Sequence, residues 1–87
     1  MYLLVKNETI VDKGVFLDDI KIALVTHENF KIKNIGNSWK FFTNNTELPQ
    51  SYSADVEHGG YTLDEVWKDL SATTLARWFG YKIFQEL

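Results

Sequence analysis

Residues 61–87 read YTLDEVWKDL SATTLARWFG YKIFQEL, and an apolar helical stripe in them changes face half-way along. The first stripe consists of Leu63, Val66, Trp67 and Leu70. At about 100° per residue, continuing this stripe leads to the polar residues Thr74 and Arg77. The apolar residues that follow lie on the opposite side of the helix, about 180° from the first stripe. The second stripe consists of Ala72, Leu75, Ala76, Phe79 and Ile83. We therefore expect a helical pair, at 62–70 and at 71–79 or longer, that breaks near Leu70–Ser71.

Helix-end signals frame these two segments. Thr62 and Glu65 form the Thr-x-x-Glu pattern of a capping box, which predicts a helix start at Thr62. Gly80 follows Phe79 at the place where a glycine would end the second helix. Residues 81–87 stay open between a continued helix, an added edge strand and an extended tail, because a helix tolerates an internal glycine at about 1 kcal/mol.

The first 43 residues show the period-two alternation and the turn residues of two β-hairpins. Their strands are 2–5 with 9–16, joined by Asn7-Glu8, and 30–35 with 38–43, joined by Gly36-Asn37. Residues 18–28 between the hairpins fit two structures. Asp18 or Asp19 could cap a helix, whereas the β-branched residues that follow also alternate as in a strand. We favour the helix, since acidic residues at its start suit the helix dipole.

No periodicity is found in residues 44–60, which contain Pro49 and Gly59-Gly60 and are predicted to form a long acidic loop. The predicted order is β-β-(α)-β-β-loop-α-α. It indicates a single α+β domain in which the helical pair packs on an antiparallel sheet of about four strands from residues 1–43.

Composition excludes several classes of site. The 87 residues include no cysteine, which rules out disulfides and thiolate metal sites, and no cofactor motif is found. The apolar run Met1–Val5 is too short for a signal-peptide core, and no window approaches the length of a membrane span. We expect a cytoplasmic protein that binds neither a membrane nor a cofactor nor a metal.

Charge is concentrated in one stretch. Residues 46–69 carry six carboxylates against Lys68 alone, within a chain of net charge −3. Such asymmetry suits docking on a protein partner with a basic surface. Among the aromatic residues, Trp78 and Phe84 fall off the apolar stripes, so one of them is expected to be an exposed interface anchor. The predicted partner-binding residues are Glu47, Tyr52, Asp55, Glu57, Tyr61, Asp64, Glu65 and Trp78.

A homodimer is an open alternative, because the second apolar stripe of 61–87 needs a covering surface. Two other functions are alternatives to protein binding. The segment 62–79 resembles a helix-turn-helix DNA-binding regulator, but Asp64, Glu65 and Asp69 would repel phosphates, so we expect no direct nucleic-acid binding. A small enzyme would use His58 with Glu57, yet neither belongs to a nucleophile motif. We assign no catalytic residue.

In length, acidity, lack of cysteine and richness in Asn, Lys and Ile, the chain resembles the small stand-alone inhibitors encoded by bacteriophages, anti-CRISPR and other anti-defence proteins among them. The resemblance is one of size and composition and includes no motif. It implies an inhibitor of a host defence protein that acts in the host cytoplasm.

Overall fold

The computed structural model describes residues 1–87 and confirms the α+β class, with six strands in two three-stranded antiparallel sheets and three α-helices. The elements are β1 (Tyr2–Lys6), β2 (Thr9–Gly14), α1 (Leu17–Glu28), β3 (Lys31–Ile35), β4 (Ser38–Thr43), β5 (Thr46–Ser53), a 3-10 helix (Val56–His58), α2 (Leu63–Asp69), α3 (Ala72–Phe79) and β6 (Lys82–Gln85). None of the helices has the length and apolar character needed to cross a membrane.

The chain divides into two compact units. The first unit comprises Met1–His27 and Ser71–Leu87, and the second comprises Glu28–Leu70. The first sheet, in the order β2-β1-β6, belongs to the first unit, and the second sheet, in the order β3-β4-β5, belongs to the second. That the chain forms one cooperative domain stays a prediction.

Three tight hairpin turns share one backbone signature. Both central residues have positive φ in Asn7-Glu8, in Gly36-Asn37 and in Asn44-Asn45. This conformation matches the right-handed twist of the flanking strands, and Asn and Gly adopt it at low cost. The first two turns were predicted, and the third introduces β5.

In the first unit, fully buried side chains come from the sheet and from both helices: Leu4 of β1, Ile20 and Leu24 of α1, and Leu75 of α3. In the second unit the fully buried Phe41 of β4 stacks on Phe30, with ring centroids 5.8 Å apart. Two further residues are fully buried: Val66 of α2 and Leu70, the C-cap residue of α2. Leu63, which begins the same apolar stripe, is 45% exposed.

The strands number six in two sheets rather than about four in one sheet, because residues 46–53 form a strand without a strand pattern and residues 82–85 take the edge-strand alternative. Residues 46–53 of the predicted 44–60 loop form β5, which pairs with β4 across an irregularity between Lys40 and Phe42. Pro49 is tolerated there because β5 is an edge strand. Residues 82–85 form β6, which pairs with β1 over the full length of β6.

The choice between helix and strand for residues 18–28 is also resolved. Residues 17–28 are helix, with Ile20, Ala23 and Leu24 buried on one face. The predicted break in the C-terminal pair is confirmed: Leu70 ends α2 in an extended conformation, and Ser71 caps α3 by accepting the Thr74 backbone N–H. Gly80 ends α3 with φ +80°, as its position indicated.

Candidate protein-binding surface

From here on, the acidic loop denotes residues 54–65, which are the connection from β5 to α2 together with the first three residues of α2. Backbone hydrogen bonds hold it at several points. The Gly60 N–H donates to the Asp55 carbonyl at 2.7 Å, and the Tyr61 N–H donates to the Ser53 carbonyl at 2.8 Å. At its start, the Ala54 N–H donates to the carbonyl of Asn37 in the β3–β4 turn. The acidic loop therefore has a defined backbone conformation although only three of its residues form a helical turn before α2.

The two consecutive glycines serve different purposes. Gly59 has φ +85°, which favours glycine, and a side chain at this position would meet open space. Gly60 lies against the Asp55 backbone, and a Cβ on it would stand 2.6 Å from both Asp55 N and Asp55 O. The sharp return of the loop thus depends on the missing side chain of Gly60.

An aromatic cluster supports the loop from the second sheet. The rings of Tyr52 and Tyr61 meet edge to face with centroids 5.1 Å apart, and Phe41 contacts Tyr52 in the same way at 5.7 Å. Trp39 donates its indole N–H to the Tyr61 carbonyl at 2.7 Å. These contacts fix the position of Tyr61, which remains 40% exposed.

Tyr52 also joins β5 to the end of α2. Its hydroxyl donates to the Asp69 carboxylate at 2.5 Å. This hydrogen bond, together with burial and the negative charge of Asp69, raises the pKa of Tyr52 to about 12. Tyr52 therefore acts here as a neutral donor that positions the aromatic cluster.

The carboxylates of this region divide into two groups. Asp55 pairs with His58 at 2.7 Å, and Glu65 accepts the Thr62 backbone N–H at 2.9 Å in the predicted capping box, which the structure confirms. That backbone hydrogen bond holds the pKa of Glu65 below its usual range. Glu57 and Asp64 are exposed and form no hydrogen bond or ion pair within the chain. Only the second group is free to meet a partner without breaking an internal contact.

Exposed apolar side chains lie next to these free carboxylates in the sequence. Val56 is 56% exposed beside Glu57, and Leu63 is 45% exposed beside Asp64. Tyr61 adds a third apolar side chain to the same loop. Neither Val56 nor Leu63 is among the predicted partner-binding residues, because periodicity assigned Leu63 to a buried stripe and no pattern covered Val56.

Two of the predicted partner-binding residues lie elsewhere. Glu47 stands near the start of β5, five residues from Tyr52 and about 16 Å away along a strand. Trp78 belongs to α3 of the first unit and is half-buried. Of the two aromatic residues considered as anchors, Phe84 on β6 is the exposed one, at 51%.

The geometry also bears on the alternative functions. His58 pairs with Asp55 rather than Glu57, and a similar pair joins His27 to Asp12 at 3.2 Å. No group of three or more His, Cys, Asp or Glu side chains is placed to hold a metal ion. The two helices of the DNA-binding alternative belong to different units.

Comparison of the chain with known protein families, curated proteins and solved structures finds no match.

Proposed function

We propose that the protein acts by binding another protein through the acidic loop. One observation carries this proposal: Val56, Tyr61 and Leu63 are exposed on a hydrogen-bonded loop, beside Glu57 and Asp64, which have no partner within the chain. The fitting partner presents an apolar patch bordered by lysine or arginine side chains.

The physical basis of such binding divides between the two kinds of side chain. Burial of the apolar groups contributes about 25 cal/mol per Å² removed from water. The carboxylates accelerate encounter with a basic surface and orient the docking. Because the loop backbone is already fixed, little conformational entropy is lost when it binds.

The test is capture of partner proteins from the source cell on tagged protein, followed by quantitative mass spectrometry. We expect a partner that is retained by the wild type and lost in the double variant Glu57→Lys/Asp64→Lys. The matched control Glu8→Lys/Asp18→Lys changes net charge equally at exposed positions of the first unit and should retain the partner.

The salt dependence of binding, measured on the purified protein and its partner, is a second test. Binding should weaken as salt is added, because screening limits charge attraction to about 8 Å at physiological ionic strength. Equal capture by the wild type and the loop variant would contradict the proposal. Equal loss in both charge-reversal variants would also contradict it, because net charge rather than the acidic loop would then be responsible.

The resemblance in size and composition to phage-encoded inhibitors extends this proposal to a biological role. The partner would be a host defence protein, and the acidic loop would occupy a basic surface that the partner uses for nucleic acid. Purified partner should then lose nucleic-acid binding when this protein is added. Unchanged nucleic-acid binding at saturating concentration would remove the inhibitory role.

A further inference from the structure

The two sheets have four edge strands, and two of them carry backbone features that block pairing with another chain. β2 contains a bulge opposite Leu4–Val5, and β5 contains Pro49 and an irregularity. β3 and β6 contain neither, and both carry exposed lysines, but only β6 is followed by a carboxylate, Glu86, on the same face as its lysine. Of these two free edges, that of β6 is therefore the one on which a second identical edge can bring opposite charges together.

Hydrogen bonding within the first sheet shows which backbone groups of β6 face outward. The Glu86 N–H donates to the Met1 carbonyl at 2.8 Å, next to the pairing of Tyr2 with Gln85. Because hydrogen-bonded and non-hydrogen-bonded pairs alternate in an antiparallel ladder, Phe84 bonds to β1 as Glu86 does. Ile83 and Gln85 then direct their N–H and C=O groups to the free edge.

The side chains along this edge alternate between the two faces of the sheet. Lys82 and Phe84 stand opposite Val5 and Leu3, and period-two alternation places Glu86 on the same face. Lys82, Phe84 and Glu86 are all exposed. Along its length, the exposed face of β6 thus carries a cation, an aromatic ring and a carboxylate in that order.

We propose that β6 pairs antiparallel with β6 of a second copy of this chain. A two-fold axis normal to the sheet keeps each side chain on its own face, so Phe84 can stand opposite Phe84 of the partner subunit. In that register Ile83 lies opposite Gln85 of the partner subunit, and the outward N–H and C=O groups of these residues form hydrogen bonds between the two chains. Lys82 then lies directly opposite Glu86 of the partner subunit.

Charge complementarity selects this occupant. Within one chain, Lys82 and Glu86 are separated by four residues of extended backbone, about 13 Å, and cannot pair. Across the two-fold axis they form two equivalent cross-strand ion pairs flanking the two Phe84 rings. The association joins the β2-β1-β6 sheet of one copy to the same sheet of the second copy, which gives one six-stranded sheet, and it is independent of the acidic loop.

The test measures molar mass by light scattering or sedimentation over a concentration series. The wild type should rise from the chain mass of 10.1 kDa toward twice that value. Lys82→Glu places like charges opposite each other twice and should weaken association by about tenfold or more. The double variant Lys82→Glu/Glu86→Lys restores opposite charges across the two-fold axis and should regain association near that of the wild type.

Two controls separate edge pairing from general effects. Lys13→Glu changes an exposed lysine on β2, opposite Leu3, and should leave association unchanged. Gln85→Pro removes an outward N–H without removing a bond to β1 and should abolish association, whereas Gln85→Ala should not. Circular dichroism should show that each variant retains the fold.

A wild-type chain that stays monomeric at every concentration overturns the proposal and leaves the edge to a different occupant. A double variant no better than Lys82→Glu also overturns it, since the ion pairs would then lie elsewhere.

Discussion

At the scale of single residues, Gly60 has the most restricted environment in the acidic loop, because its α-carbon passes against the Asp55 backbone. Gly60→Ala forces a Cβ into that backbone, and we expect a loss of about 1–3 kcal/mol in the free energy of unfolding. Gly59→Asn is the matched control, since Asn tolerates positive φ and meets no neighbour there. Urea denaturation of both variants measures the difference, and equal stability would show that the loop relaxes freely.

Tyr52 predicts a dependence of stability on alkaline pH. Its pKa is raised in the folded protein from 10.0 to about 12, first because of the hydrogen bond to Asp69. Its contribution is therefore fully present below pH 10 and is lost as the pH rises toward about 12. Tyr52→Phe should lower stability by about 1 kcal/mol at neutral pH and flatten this alkaline decline. Urea unfolding curves across that pH range check both effects; an unchanged decline in the variant would assign it to other groups.

At the scale of elements, the two short C-terminal helices depend on their caps. Thr62→Ala removes the acceptor for the Glu65 N–H, and Ser71→Ala removes the acceptor for the Thr74 N–H. Each should cost about 1 kcal/mol of stability. Thr73→Ala, at an exposed position within α3, is the control and should be neutral or slightly stabilising. Thermal melting compares the three variants.

The Glu65 half of the capping box adds an acid dependence. Because the Thr62 N–H holds the pKa of Glu65 below the usual 4.5, its contribution is present above that pH and is lost as the pH falls through the lowered value. Glu65→Gln keeps an acceptor for the Thr62 N–H but removes this titration. Stability that still falls equally in the variant as the pH is lowered below 4.5 would place the acid sensitivity elsewhere.

Element prediction succeeded where one short segment contained its whole signal. The helix break at Leu70–Ser71 was predicted from the change of apolar face, and the Thr62 capping box and the helix end at Gly80 were predicted from residues a few positions apart. β6 could not be predicted in the same way, because its pairing with β1 joins residues more than seventy positions apart. β5 was hidden because Pro49 and its irregular pairing interrupt the alternation that marks a strand.

At the scale of the whole molecule, the single-domain prediction has a direct test. Each unit contains roughly forty residues, near the lower limit of chains that fold without disulfides or metals. We therefore expect one cooperative unfolding transition. Leu4→Ala, in the first unit, should lower the hydrogen-exchange protection of amides in both units by about 2–5 kcal/mol. Reduced protection confined to the first unit would show two independent folding units.

Residue pattern alone predicts the α+β class, two of the three hairpin turns, the capping box and the division of the C-terminal segment into two helices. All of these depend on residues within a few positions of one another. Three features are visible only in the folded chain: the strands form two sheets, Val56, Tyr61 and Leu63 are exposed in the acidic loop beside free carboxylates, and β6 has an open edge. These features depend on burial and on strand pairing between distant segments. The periodicity of a single stretch such as 61–87 indicates which side chains share a face, but it does not indicate whether that face contacts a distant strand or solvent.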